Sequence, residues 1–122
     1  MIRYEKGQQL APHFDANRGA DVEDANRGGQ TLATLLVYLN DAGLGGGGGG
    51  GGGATRFGRL NLEVEPKKGQ CLLFFPATKD GTFDERVEHE GTEAAREKWI
   101  CRIWRHIDRV PPPFGLPDGY VP

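Results

Sequence analysis

Apolar and polar positions alternate along this chain in short runs, and the dominant period is that of β-strands. Thr31 to Leu39 is a β-branched, leucine-rich run that stops at Asn40-Asp41, a turn-forming pair. Arg59 to Val64 sets Leu60, Leu62 and Val64 against Arg59, Asn61 and Glu63, which predicts a half-buried strand. Pro66-Lys67-Lys68-Gly69 reads as a turn, and the continuous apolar run Gln70 to Phe75 beyond it as a buried strand. Trp99 to Ile107 alternates again, with Trp99, Cys101 and Ile103 on one face and Ile100, Arg102 and Trp104 on the other. Helical composition is confined to Thr92 to Lys98, about two turns. Short strands separated by turns predict an all-β sandwich or barrel.

Composition sets the scale. A chain of 122 residues has room for one domain. Glycine fills 20 positions, above an ordinary usage of about 7%, because Gly45 to Gly53 is an unbroken run. That run predicts a flexible coil between two strands. It lacks the Gly-Lys-Ser/Thr ending and the following helix of a phosphate-cradling loop. The expected organisation is a core over 1–110, interrupted by a glycine-rich loop at 43–53, and a proline-rich tail over 111–122. Asp15-Ala16-Asn17-Arg18-Gly19 recurs once, as Asp24-Ala25-Asn26-Arg27-Gly28, which reads as local duplication in a loop rather than a solenoid unit. The formal net charge is -2 with both signs mixed, so no basic block offers itself to nucleic acid. The longest apolar runs fall far short of the ~20 residues that span a bilayer, and the first residues have no signal-peptide pattern. Cys71 and Cys101 lack metal or redox spacing and lie in apolar runs, which predicts two buried thiols. The compartment is not readable from them.

The candidate chemistry is concentrated in His13, Asp15 and His89. Residues two apart on an extended strand share a face, so His13-Phe14-Asp15 can present an imidazole and a carboxylate to one ion. A histidine from a distant strand would complete a two-histidine, one-carboxylate facial triad, the donor set of non-haem iron(II) oxygenases. His89 lies several predicted strands away, whereas His106 sits beside the proline-rich end. Asp24, in the repeated segment, has no histidine two residues before it. Lys98 opens the last strand nine residues after His89. A dicarboxylate that chelates a metal through its keto-acid end needs a cation at its far carboxylate, and a lysine there supplies one. Taken singly, these residues fit exposed polar positions and a solvated lysine equally well.

The wider pattern resembles the prolyl 4-hydroxylase family of iron(II)- and 2-oxoglutarate-dependent dioxygenases. Tyr4 and Gly7 followed by His13 and Asp15 look like its Tyr-x-x-Gly-x-x-x-x-x-His-x-Asp opening, and Tyr38-Leu39-Asn40 like the end of a family strand. Gly52-Gly53-Ala54-Thr55-Arg56-Phe57 is similar to its Gly-Gly-Glu-Thr-x-Phe, and Gly69 to Phe74 to its Gly-x-x-Leu-Leu-Phe. Asp80-Gly81 to His89, then Lys98-Trp99, resembles the closing segment, and all these motifs run in family order.

The resemblance implies a double-stranded β-helix, a cupin-like jelly-roll barrel, with helices outside it. It implies His13, Asp15 and His89 as iron ligands and Lys98 as the anchor of the distal carboxylate of 2-oxoglutarate. Tyr4 and Thr55 match co-substrate-pocket positions, and Trp104 an aromatic near the substrate cleft. Iron(II), 2-oxoglutarate, dioxygen and ascorbate are the implied cofactors and co-substrates. The implied partner is a peptide or protein substrate, proline-rich in the family, and the implied products include succinate and carbon dioxide. By resemblance alone, the endoplasmic reticulum is the compartment to consider. The family's helices and first strands are expected before Tyr4, and a chain without them would expose an apolar face and an open sheet edge. Thr31 stands where family members commonly carry a substrate-contacting arginine, Ala54 replaces the glutamate of the Gly-Gly-Glu-Thr motif, and Leu10 replaces a tyrosine. These departures leave three alternatives beside peptidyl-proline hydroxylation: a catalytically impaired fragment, a metal-binding barrel without 2-oxoglutarate, and a dioxygenase with a non-prolyl substrate.

Overall fold

In the computed structural model, which describes residues 1–18, 27–43, 52–115, 117 and 119, eight strands form two antiparallel sheets. They are β1 (Ile2–Tyr4), β2 (Leu10–His13), β3 (Thr31–Tyr38), β4 (Thr55–Phe57), β5 (Leu62–Val64), β6 (Cys71–Phe74), β7 (His89–Gly91) and β8 (Lys98–His106). One sheet has the order β1-β8-β3-β6 and the other β2-β7-β4-β5. Among the described residues the helical elements are two single 3-10 turns, Gly58–Leu60 and Glu85–Val87. Asp24, Gly45 to Gly51 of the glycine run and the last residues of the tail lie outside the described residues.

β3 and β8 form the long central pair, and their alternation decides what faces the second sheet. A register shift between Thr31 and Ala33 changes the phase of β3, so Thr31 is buried on one side of it and Thr34, Leu36 and Tyr38 on the other. Below that shift the inward rows run Phe74, Thr34, Trp104; then Leu72, Leu36, Arg102; then Tyr38, Ile100, Ile2; and last Lys98 with Tyr4. Leu36, Tyr38 and Ile100 are the buried centre of this face, and Ile2, Tyr4, Val64 and Leu72 pack around them. The facing sheets meet where Phe57 sets its ring edge-on to Phe74, 5.2 Å between centroids.

Several sequence expectations are corrected. Thr92 to Lys98 is not a helix: Thr92 N–H donates to the Ala54 carbonyl and Ala94 N–H to that of Gln8, so the donors of this segment serve distant chain. Arg59 to Val64 is not one strand. A 3-10 turn occupies Gly58–Leu60, Asn61 takes a left-handed φ of 50°, and pairing begins at Leu62, leaving Leu60 and Leu62 exposed. Gln70 to Phe75 is not buried on both faces, because β6 is an edge strand with one face outward; Leu73 and Phe75 are 56% and 61% exposed.

The two thiols are not both buried either. Cys71 is exposed and Cys101 half-buried, on the outward face at either side of Val37. Two strand spacings separate them, about 10 Å, beyond the ~7 Å that a disulfide can bridge.

Candidate metal centre

Cross-strand register creates the centre. His13, the last residue of β2, pairs directly with His89, the first residue of β7. Directly opposed residues on antiparallel strands project to one face, and the two imidazole centroids lie 4.3 Å apart. Asp15 lies beyond the end of β2 rather than on it, so the His-x-Asp pair converges through a chain bend and not through strand alternation. The ligand atoms of His13, Asp15 and His89 all fall within 4.8 Å of one another.

The surroundings fix which atoms converge. His13 Nδ1 donates to the Ala11 carbonyl at 2.9 Å, and His89 Nδ1 donates to the Val87 carbonyl at 3.0 Å. A carbonyl only accepts, so both rings carry their proton on Nδ1 and turn an Nε2 lone pair inward. Asp15 Oδ2 accepts from Thr34 Oγ1 at 2.8 Å and from Trp104 Nε1 at 3.2 Å. That leaves Oδ1, which lies 3.4 Å from His13 Nε2 and 3.8 Å from His89 Nε2.

The first of these distances is no hydrogen bond, because with the proton on Nδ1 both facing atoms are acceptors. Among the described residues, His13 Nε2 is the buried side-chain nitrogen or oxygen left without a partner. Three electron-pair donors aimed at one another repel unless a cation sits among them. Two imidazoles and a carboxylate, with their outer atoms already hydrogen-bonded, fit iron(II) or another divalent first-row metal.

The electrostatics agree with that assignment. Burial works to raise the Asp15 carboxyl, but the neighbouring His13, Thr34, His89 and Trp104 outweigh it and hold its pKa at about 2. Asp15 is therefore ionised whenever a metal could bind. The Asp15 carboxylate raises His13, whereas burial lowers His89. The His89 ring is walled by Phe74 and Phe57, at centroid distances of 4.8 and 5.4 Å.

The same cleft is lined by Tyr4, Leu10, Thr55, Lys98 and Arg102. Lys98 is only 3% exposed. Its Nζ donates to the Gly53 carbonyl at 2.8 Å and lies 4.5 Å from the centre of the Tyr4 ring. Burial alone pushes its pKa down to about 8, with no carboxylate among the causes. A buried ammonium without a counter-ion is costly, and such costs concentrate where a ligand brings the missing charge. Thr55 hydrogen-bonds Tyr38 Oη at 2.8 Å in the buried wall beside it.

Trp104 is 42% exposed and reaches Asp15, so it is not a barrel-core aromatic. His106 is elsewhere, its Nδ1 donating to the Gly29 carbonyl. Thr34 and Arg102 belong to no quoted motif and Tyr38 only to the strand-end motif, because what all three touch depends on how β3 and β8 are registered.

The end of the glycine run is built into this site. Gly53 holds Lys98 through its carbonyl, has φ +85°, and a Cβ there would come within 3.2 Å of Lys98 Cδ. A Gly52 Cβ would meet the Glu93 carbonyl at 2.2 Å. Gly53→Ala is thus expected to cost about 1–2 kcal/mol, the penalty for a left-handed L-residue, read as a lower urea midpoint. A loss below about 0.5 kcal/mol, ordinary for a surface change, would mean the turn is not required.

The chain matches the family model described as the 2OG-Fe(II) oxygenase superfamily, over residues 1–106. It is similar to "Probable prolyl 4-hydroxylase 3" of Arabidopsis thaliana, 32% identical over 120 residues that take in 88% of this chain and 41% of that protein. "Prolyl 4-hydroxylase 1" of the same plant is 38% identical over 111 residues, 85% of this chain and 38% of the relative. A solved structure of the viral collagen prolyl hydroxylase from Paramecium bursaria Chlorella virus-1, in its 2OG complex, superposes with a TM-score of 0.67 at 36% identity. It covers 84% of this chain and 53% of that one. The chain therefore spans 41% of the length of the first of these curated relatives and 53% of the viral enzyme's.

Proposed function

Because this chain belongs to the 2OG-Fe(II) oxygenase superfamily and has the mainly β, two-sheet architecture of its double-stranded β-helix neighbours, we propose that it is a 2-oxoglutarate-dependent dioxygenase that hydroxylates peptidyl proline. His13, Asp15 and His89 would hold iron(II), the two-histidine, one-carboxylate donor set suited to a non-haem iron oxygenase. When bound, the iron supplies dioxygen activation coupled to oxidative decarboxylation of 2-oxoglutarate to succinate and carbon dioxide.

The protein's own part is positioning and exclusion of water. Thr34 and Trp104 fix the Asp15 carboxylate so that one oxygen faces the metal. The Ala11 and Val87 carbonyls fix both imidazoles. Lys98 neutralises the far carboxylate of 2-oxoglutarate, with Tyr4 against its ammonium and Thr55 lining the same pocket. Phe57 and Phe74 keep the histidine side of the cleft dry. Trp104 lies at the exposed edge, where a peptide would approach.

One observation carries this reading: a three-donor cluster and a buried, unpaired ammonium line the same cleft. A metal-binding barrel that did not use 2-oxoglutarate would gain nothing from Lys98, and the third histidine does not join the cluster.

The peptidyl-proline substrate is supported by the names of the relatives, and the partner is accordingly a peptide or protein. No helix of the described residues is long and apolar enough to cross a membrane. The test is succinate release from 2-oxoglutarate with iron(II) and ascorbate, comparing proline-rich with lysine-containing peptides. Stimulation by the proline peptides is expected. Stimulation by lysine peptides alone would move the substrate assignment, and no iron-dependent succinate at all would favour an impaired fragment.

A further inference from the structure

Arg102 is left over when every role above has been assigned. It projects from β8 on the same face as Lys98, four residues further along the strand, or about 13 Å. The next inward residue is Trp104, which holds Asp15. Lys98 therefore marks the far end of the cleft and Arg102 the metal end. Its charge is close enough to act against a proton on His13 and His89.

The Arg102 guanidinium lies 4.1 Å from the centre of the Trp104 ring. Stacking on an indole fixes the plane of the group and leaves its N–H edge for a planar acceptor. Among the described residues no carboxylate pairs with it. Asp15, which lines the same cleft, has Oδ2 committed to Thr34 and Trp104 and Oδ1 turned to the two imidazoles. Glu90, also on the cleft wall, is held by Arg56 at 2.9 Å. Counting charges shows the same excess. With a divalent iron and a doubly charged 2-oxoglutarate in place, Asp15 and the co-substrate balance the metal and Lys98, and the charge of Arg102 alone is unmatched.

We propose that Arg102 is a carboxylate-recognition residue, and that the substrate of this site carries an acidic group next to the residue that is oxidised. The proposal rests on reading the cleft as a 2-oxoglutarate oxygenase site and adds the charge of what enters it. The same guanidinium chemistry would serve the keto-acid end of 2-oxoglutarate, so the test separates the two sources.

The probes are 2-oxoglutarate and a pair of end-blocked proline peptides, identical except for Asp or Asn beside the proline. Binding to the Mn(II)-loaded full chain is followed by tryptophan fluorescence, without turnover, for the parent chain, Arg102→Gln and Arg102→Lys. The parent chain is expected to prefer the Asp peptide by at least about tenfold, the worth of a charge-assisted hydrogen bond. Arg102→Gln should lose that preference while 2-oxoglutarate affinity holds, and Arg102→Lys should regain part of it. Weaker 2-oxoglutarate binding in Arg102→Gln, with the peptide preference intact, overturns the substrate claim and gives the guanidinium to the co-substrate. No Asp preference in the parent chain, including no binding of either peptide, overturns the proposal outright. Because Mn(II) binding needs no turnover, a chain that fails the succinate test can still pass or fail this one.

Discussion

Alanine in place of His89 is expected to abolish iron-dependent succinate release and to weaken divalent-metal binding more than about 100-fold. The magnitude follows from the ring's place in the site. Losing a group that merely supports a metal ligand typically costs about 10–100-fold, and in the proposed site His89 would contribute the ligand atom itself. It is also the strand-paired partner of His13, so its loss removes one of three converging donors without removing a strand. His89 is buried among Phe57 and Phe74, so the variant also leaves a cavity. Circular dichroism and the urea midpoint separate that effect from metal loss, and His89→Gln, which keeps more of the volume, serves as the second variant. Metal affinity within about tenfold of the parent in both folded variants would remove His89 from the ligand set.

Lys98→Met is expected to behave differently. Metal binding should be retained, because Lys98 lies at the other end of β8 from the Asp15 contact, while the KM for 2-oxoglutarate should rise by about 10–100-fold. A hydrogen bond to a charged group is worth about 1.5–3 kcal/mol, and methionine keeps the apolar stem while dropping that bond. The chain should gain stability without ligand, since a buried unpaired charge has been removed.

The same residue sets a pH dependence whose sign follows from its pKa. Burial brings Lys98 down to about 8 from the ordinary lysine value of 10.5, so between these values the unfolded chain binds the proton and the folded, ligand-free chain does not. Stability of the ligand-free chain therefore rises with pH across that window. Affinity for 2-oxoglutarate runs the other way. It requires the ammonium and should fall by about tenfold per pH unit above 8, a fall that Lys98→Met should not show. A co-substrate KM unchanged by the substitution and flat with pH would take Lys98 out of the pocket.

The legible parts of this molecule were those set by local spacing. Strand β3 and the turn at Gly69, whose φ is +80°, followed from β-branched alternation and turn chemistry. The parity of β8 was also local, and Ile100, Arg102 and Trp104 do share a face. What alternation cannot say is which face meets the second sheet, and that is why Arg102 looked like any other arginine. The apolar run Gln70 to Phe75 misled for a related reason, since hydrophobicity does not distinguish a strand covered on both sides from an edge strand with Leu73 and Phe75 outward. His13-x-Asp15 was recognisable as a motif although its geometric explanation differed: Asp15 lies past the strand end, held by Thr34 and Trp104 from the opposite sheet. Those partners, and the His13–His89 pairing itself, are products of register across residues far apart in sequence.

The same dependence on long-range register makes one measurement decisive. Crystals grown with Mn(II) in place of iron, recorded at a wavelength where manganese scatters anomalously, report the position of the ion directly. A single anomalous peak within bonding distance of His13 Nε2, Asp15 Oδ1 and His89 Nε2 is the predicted result. A peak that engages His13 and Asp15 but leaves His89 out of reach, or a well-ordered crystal with no peak at this cluster, would contradict it.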